Sequence, residues 1–338
     1  MSESGQTPMS ANWMLLDMDL AVERSSSDDR PYQGPIIDVH LHAFGVDAQG
    51  PPPLGVCVGQ AAELRFDARR PWPDTLLEQL KNPRDSAAIW SPTSDEDLRD
   101  QTLAEMERLD VLGVVSGPPD RVRDYRERAV GRVISAIEFD LERYAYTPKQ
   151  IAALIDHEDF AVFGEITDQY NGTAMDDPRF DPFWDVVAER DVPIAVHTGI
   201  GPPGAAHLHP RFRAALHSPF ALERLLTRHP TLRVYAMHAA WPMIDELKAM
   251  LYTYPQLHVD TGTLQMAIPR AEYHRFLLEL ITAGFGDRIM FGSDQIVWPG
   301  LIELGVNAIN DAPIPTEYKR AILHDNASRF LRLPEGQR

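Results

Sequence analysis

Two histidines one residue apart, His40 and His42, end the run Ile36-Ile37-Asp38-Val39-His40-Leu41-His42. On an extended strand alternate side chains share a face. Both imidazoles then reach one place, at a spacing that suits chelation of a divalent cation. Four later runs carry the same kind of chemistry at or near their ends: Glu165 is the penultimate residue of AVFGEI, His197 follows PIAV, His238 follows RVYAM and Asp294 follows RIMFGS. Bound to such a set, a divalent cation lowers the pKa of water from about 15.7 to about 7, which makes hydroxide available at neutral pH. Asp294 can take the proton of the attacking water and pass it to a leaving group. A neutral His238 can donate to the oxyanion that forms. A second pair, His207 and His209, has the same spacing in a loop and is a weaker candidate, for contact with substrate.

These residues need elements that aim them at one point. Eight short apolar, β-branched runs recur along the chain, at 35–42, 111–117, 132–139, 161–166, 193–199, 232–239, 257–262 and 288–294. Helix signals lie between them. Thr147-Pro148 and Ser218-Pro219 read as caps with proline at the first helical position, and PRAEYHRFLLELITAG carries apolar residues at helical spacing up to a glycine. Strands alternating with helices imply a parallel sheet, and eight such units imply an α/β fold of the (β/α)8, or TIM, barrel type. No GxGxxG turn supports a dinucleotide fold. Long loops follow strands one and five (43–93 and 199–217), and both should cover the C-terminal mouth of the barrel.

Simple alternation then predicts which way each side chain points. Ile37, Val39 and Leu41 should face the helices, with Asp38, His40 and His42 inside. Val162 and Ile166 should face out and Phe163 and Glu165 in. Ile194 and Val196 should oppose His197, Tyr235 and Met237 should oppose His238, and Ile289 and Phe291 should oppose Asp294. His258 and Asp260 share the inward face of strand seven, Asp260 as a partner of ligands rather than a catalyst. Asp38 lies deeper, in a supporting position. His157, His217, His229, His274 and His324 fall on helices or helix ends, where a solvated or capping role is expected.

The whole chain sets further bounds. Its 338 residues, 44% hydrophobic and 24% charged, suffice for a full core. A net charge of -18, from 50 acidic against 32 basic side chains, argues against nucleic acid and against anionic membrane surfaces. One cysteine, Cys57, excludes an internal disulfide and a CxxC metal site. No apolar run reaches 18 residues and no secretory signal opens the chain, so a cytoplasmic protein is expected. Residues 1–33 read as a poorly ordered tail, 34–332 as the barrel domain and 333–338 as a C-terminal tail.

DVHLH, GEI, VHTG, MHA and FGSD, in that order, resemble the amidohydrolase-related family, metal-dependent (β/α)8 enzymes of the amidohydrolase superfamily. The resemblance covers roughly residues 34–332 and includes Asn326-Ala327-Ser328-Arg329-Phe330-Leu331, which is similar to the family's closing helix. It implies that His40, His42 and His197 are metal ligands. It implies that His238 binds a second metal or polarises substrate, and that Asp294 is both ligand and general base. Glu165 stands where many two-metal members have a carboxylated lysine or a bridging glutamate, so lysine carboxylation is not expected and one or two metals remain open. Zinc is the first expectation; manganese, iron and cobalt also suit these ligands. Tyr170, Asn171 and Trp298, just past two of the strand ends, and Arg211 over the mouth are candidate contacts to a small-molecule substrate. The leading function is hydrolysis of an amide, lactone or ester-like bond. The alternative is a one-metal lyase that decarboxylates or hydrates an aromatic or unsaturated acid, although His40 departs from the glutamate variant of some decarboxylating relatives. A homo-oligomer is compatible with either.

Overall fold

Eight parallel strands pair in chain order: β1 (Ile36–His42), β2 (Val111–Gly117), β3 (Val133–Phe139), β4 (Phe160–Ile166), β5 (Ile194–His197), β6 (Val234–Met237), β7 (Leu257–Asp260) and β8 (Ile289–Met290). The backbone N–H of Val39 donates to Phe291 O at 2.9 Å across the seam between β1 and β8, which closes the (β/α)8 barrel. The computed structural model describes residues 29–334. The expectations for 1–28 and 335–338 lie outside the described residues.

Both described ends of the chain lie against the barrel. Asn310 Oδ1 accepts from Tyr32 N, Thr316 donates to Arg30 O and Lys319 to Asp29 O, each within 2.8 Å, so residues 29–33 lie against the barrel's last helices. Leu333, placed in the C-terminal tail by the sequence, is buried in the floor of the barrel. The predicted caps are present. Thr147 and Gln150 form a reciprocal capping box on helix Pro148–Glu158, and the Ser218 side chain accepts from Phe220 N.

Two apolar layers surround the strands. One lies between strands and helices and includes Leu41, Phe163, Val196, Val259 and Phe291. The other fills the barrel's lower interior: Ile37, Val39, Val162, Tyr235, Met237 and Met290, closed underneath by Phe330. This division corrects the simple alternation on three strands. In β1, Asp38 pairs with Gly113 but Leu41 with Val115, so one extra residue bulges out of the ladder. Ile37 and Val39 therefore fill the interior, while Leu41 faces the helices. The Asp38 carboxylate accepts from His40 N and Ser293 N, both at 3.0 Å, and satisfies the N–H inside the bulge. In β4 the pairing slips by one residue between Phe163 and Ile166. Val162 points inward and Phe163 outward, the reverse of the expectation, and the slip returns Glu165 to the inside. Gly164 sits in the slip at φ 144°, a region that favours glycine, and a side chain there would collide with Ala195 O. In β6, Tyr235 and Met237 point inward, and His238 also reaches the mouth because the chain turns left-handed there, with φ 58°. Strands β5, β7 and β8 follow the expected alternation.

Both long insertions fold over the mouth. The first carries a two-stranded ribbon (Gly55–Val56 with Ile89–Trp90) and the helix Trp72–Lys81. Trp72 Nε1 donates to Pro203 O of the second insertion at 2.6 Å, and Phe66 stacks on His207 with ring centroids 5.5 Å apart.

Candidate metal centre at the mouth of the barrel

His40 Nε2 and His42 Nε2 lie 3.1 Å apart, both buried. His42 Nε2 is 3.1 Å from Asp294 Oδ1 and 3.5 Å from Glu165 Oε2. On the other side, Glu165 Oε1 lies 2.7 Å from His197 Nδ1 and 3.6 Å from His238 Nε2, and those two ring nitrogens are 2.9 Å apart. Asp294 Oδ2 is 3.9 Å from the His238 ring. The structure thus brings six of the sequence candidates, His40, His42, Glu165, His197, His238 and Asp294, to one point. Three overlapping triads among them could hold a metal ion: His40, His42 and Glu165; Glu165, His197 and His238; and His40, His238 and Asp294.

The outward nitrogen of each ring shows what the inward one must be. His40 Nδ1 donates to Asp260 Oδ2 at 3.1 Å. His238 Nδ1 donates to the carbonyl of Gly262 at 3.0 Å, and His197 Nε2 to the carbonyl of Ile200 at 2.8 Å. His42 Nδ1 is 3.0 Å from the Ser116 hydroxyl, which can pass its own proton to Leu41 O. A neutral imidazole has one N–H, so spending it outward leaves a lone pair pointing inward. Four inward lone pairs and two carboxylates, packed without counter-charge, fit a divalent cation and nothing apolar. Asp260 also accepts from His238 N and Gly262 N, at 2.9 and 2.8 Å, and so fixes two ligand strands together. No side chain fits between these parts. A Cβ on Gly292 would come within 2.8 Å of His40 Cβ, and one on Gly262 would run into His40 Nδ1.

The electrostatics agree. Burial opposes charge on His40, but the carboxylates of Asp294, Asp260 and Glu165 outweigh it and push its pKa up to about 10. Burial also works against Asp294, yet His40 and His42 hold its carboxyl well below the usual range. Glu165 is lowered against burial by its bonds to His197 and His238. With Nδ1–H committed to Gly262 O, a neutral His238 offers an acceptor to the centre and not a donor.

The remaining candidates separate. Tyr170, Asn171 and Trp298 line a cavity of about 740 Å³ above the centre, within the usual range for small-molecule sites. The Tyr170 hydroxyl is 3.1 Å from His197 Nε2, Asn171 donates to Asp140 Oδ2 at 2.6 Å, and Trp298 donates to Leu54 O at 2.9 Å. Arg211 is not in the lining. It pairs with Glu142 at 3.1 Å, its side chain 59% exposed, because its loop turns that side chain to solvent. The arginine in the lining is Arg143, after β3, bonded to the buried Glu138 at 3.1 Å. Neither stood out in the sequence, since the third strand ends in no histidine. Burial raises the Glu138 pKa. His217, expected at a solvated helix end, is fully buried with its ring 5.2 Å from both Tyr170 and His197. Burial, then His197 and His238, push it down to about 3, so it is neutral. His209 also lines the cavity, whereas His207 stacks beneath Phe66 at its rim.

Residues 37–333 match the family model described as amidohydrolase. No curated protein matches the chain. Among solved structures, it resembles an uncharacterised TIM-barrel protein from Bordetella bronchiseptica (19% identity, 88% of this chain and 99% of that chain, TM-score 0.57). It also resembles 5-carboxyvanillate decarboxylase from Novosphingobium aromaticivorans, complexed with manganese and 4-hydroxy-3-methoxy-5-nitrobenzoic acid (15%, 90% and 99%, 0.55). A third is a probable 2-pyrone-4,6-dicarboxylic acid hydrolase from Acinetobacter baumannii with citric acid bound (12%, 89% and 100%, 0.56). At these identities the likenesses show the shared fold. Among the described residues, no helix is long and apolar enough to cross a membrane.

Proposed function

Because the chain belongs to the amidohydrolase family, we propose that it is a metal-dependent hydrolase that opens an amide, lactone or ester-like bond of a small molecule. The observation that carries this reading is the position of Glu165. One of its oxygens faces the His40–His42 pair and the other faces the His197–His238 pair. A carboxylate shared between two imidazole pairs would help to hold one cation or two. His40, His42, His197, His238, Glu165 and Asp294 would hold them, with zinc as the first choice among divalent metals. A cation there supplies Lewis acidity and makes hydroxide available at neutral pH.

The protein's own residues then do the rest. Asp294, ionised and at the edge of the cavity, takes the proton of the attacking water and returns it to the leaving group. The Tyr170 hydroxyl stands beside His197, and burial, then Glu165, raise its pKa well above the ordinary value. It therefore stays protonated and can donate to the oxyanion, the part that a neutral His238 cannot play. The two latched insertions cover the mouth and limit substrate size. The single half-buried cysteine and the charge balance fit a cytoplasmic setting.

A one-metal lyase is the second reading, supported by the decarboxylase named among the structural relatives. Metal titration with Glu165→Gln separates the two. For the hydrolase, activity should saturate at two equivalents, the variant should lose the second, and product should carry oxygen from labelled water. Saturation at one equivalent with full activity in the variant, and carbon dioxide as product, would establish the lyase instead.

A further inference from the structure

The helix Trp72–Lys81 contributes no fully buried side chain to the core, yet it carries leucines at 76, 77 and 80. That spacing puts them on one face. All three line the cavity, together with Met266 and, from the second insertion, Leu208. An amphipathic helix normally spends its apolar face on the core. This one divides it: Leu77 and Leu80 also pack against the cluster around Leu54, Val56 and Trp298, and all three leucines border the cavity along a stripe of about 10 Å from Pro73 to Leu80 at the helical rise.

The charges of the lining restrict the occupant further. Glu138, Asp140, Glu165 and Asp294 face the cavity with Arg143 as the sole Lys or Arg side chain among the described lining residues. Arg143 is already paired with Glu138. Four carboxylates against one guanidinium leave three negative charges. One divalent cation reduces these to one, and a second leaves a single positive charge. A substrate with several carboxylates would find no unpaired cation away from the metal centre.

We infer that the substrate is neutral or singly charged, with one reacting carbonyl group at one end and an apolar body, an alkyl chain or substituted ring, lying along Leu76, Leu77 and Leu80. This inference rests on the metal-centre reading for the placement of the reacting end. It excludes polycarboxylates as substrates.

Alkyl hydroxamates test it without needing turnover, because the head chelates metal and the tail reports on the stripe. Binding of a series from acetohydroxamate to decanohydroxamate is measured by calorimetry on zinc-loaded and on chelator-treated protein. Each added methylene should tighten binding about three- to fourfold, the worth of one buried methylene, until the stripe is filled. Leu76→Asp should flatten that slope without changing zinc content, and the milder Leu80→Ala should shorten it. Suberate monohydroxamate should bind more weakly than the alkyl hydroxamate of the same length. A flat series on the unmodified protein, or tighter binding of the suberate probe, would overturn the inference. Equal affinities with and without zinc would instead overturn the metal-centre reading, since the chain-length slope is read independently in both states.

Discussion

The floor and the mouth of this barrel are built from the same eight strands under opposite rules. In the floor, Ile37, Val39, Val162, Tyr235 and Met290 form one apolar layer above Phe330. At the mouth, the backbone departs from the pleat at most of the inward-turned functional side chains: by the bulge before Leu41, the slip around Glu165, and positive φ at His238 and Asp294, while His197 arrives on regular alternation. Close packing limits such irregularity, because each displaced side chain leaves a void or a clash. The left-handed turns therefore sit where the interior opens into the cavity, while the shifts beside Val39 and Val162 are absorbed in the floor. Local strain of this kind is kept at functional sites and held in place by the packing beneath it.

The comparison makes distinct demands on variants. The largest effect belongs to the mouth. Asp294→Asn keeps the side chain's shape but removes the base, and turnover should fall about 10²- to 10⁴-fold when compared at equal metal occupancy. A fall of less than about tenfold would remove Asp294 from proton transfer. The floor should respond in stability instead. Phe330→Ala empties the space under Tyr235 and His258, whose rings lie 5.5 and 4.7 Å from it. Denaturant unfolding should register a loss of about 3–5 kcal/mol with metal stoichiometry unchanged. Loss of metal from this folded variant would mean that floor and mouth are one unit.

Between the two regions stands Asp260, on the last regular position of β7. In Asp260→Asn the amide oxygen stays with His238 N and Gly262 N and the NH2 group turns a donor towards His40 Nδ1, which opposes the His40 tautomer, so metal affinity should drop about 10- to 100-fold, read by competition with a chelating dye. The smallest effect concerns Asp168, beyond β4. Burial, opposed by a bond from Leu141 N, pushes its pKa up to about 7. Its folded value lies above its unfolded one, so its contribution to stability is full below about pH 4 and is lost as pH rises through 7. Urea unfolding across that range should show a shallower loss of stability with pH for Asp168→Asn than for the unmodified protein. Identical slopes would mean that Asp168 titrates normally.

Much of this architecture was legible in the chain. The eight runs, the two insertions and six convergent residues could be read from local pattern, because each strand end carries its own polar punctuation. What could not be read was the path by which some of them arrive. A bulge depends on the register with a neighbouring strand, as Asp38 against Gly113 and Leu41 against Val115 show, and register is a property of two segments. Strict alternation placed Val39 and Val162 against the helices and still delivered His40 and Glu165 correctly, since two departures from alternation cancelled. The loops were less legible still. Arg143 and Arg211 are both loop arginines, and only the folded path turns one towards the cavity and the other to solvent.

Gly262 and Gly292, flanking the His40–Asp260 pair, decide where this protein can change over generations of mutation. Saturation libraries at those two positions should return glycine alone, since even alanine displaces a ring or a carboxylate. Libraries at Leu76 or Leu208 should return many apolar types, because those side chains border open space. New specificities would then arise by rewriting the insertions, while the glycines keep the underlying chemistry the same in every descendant.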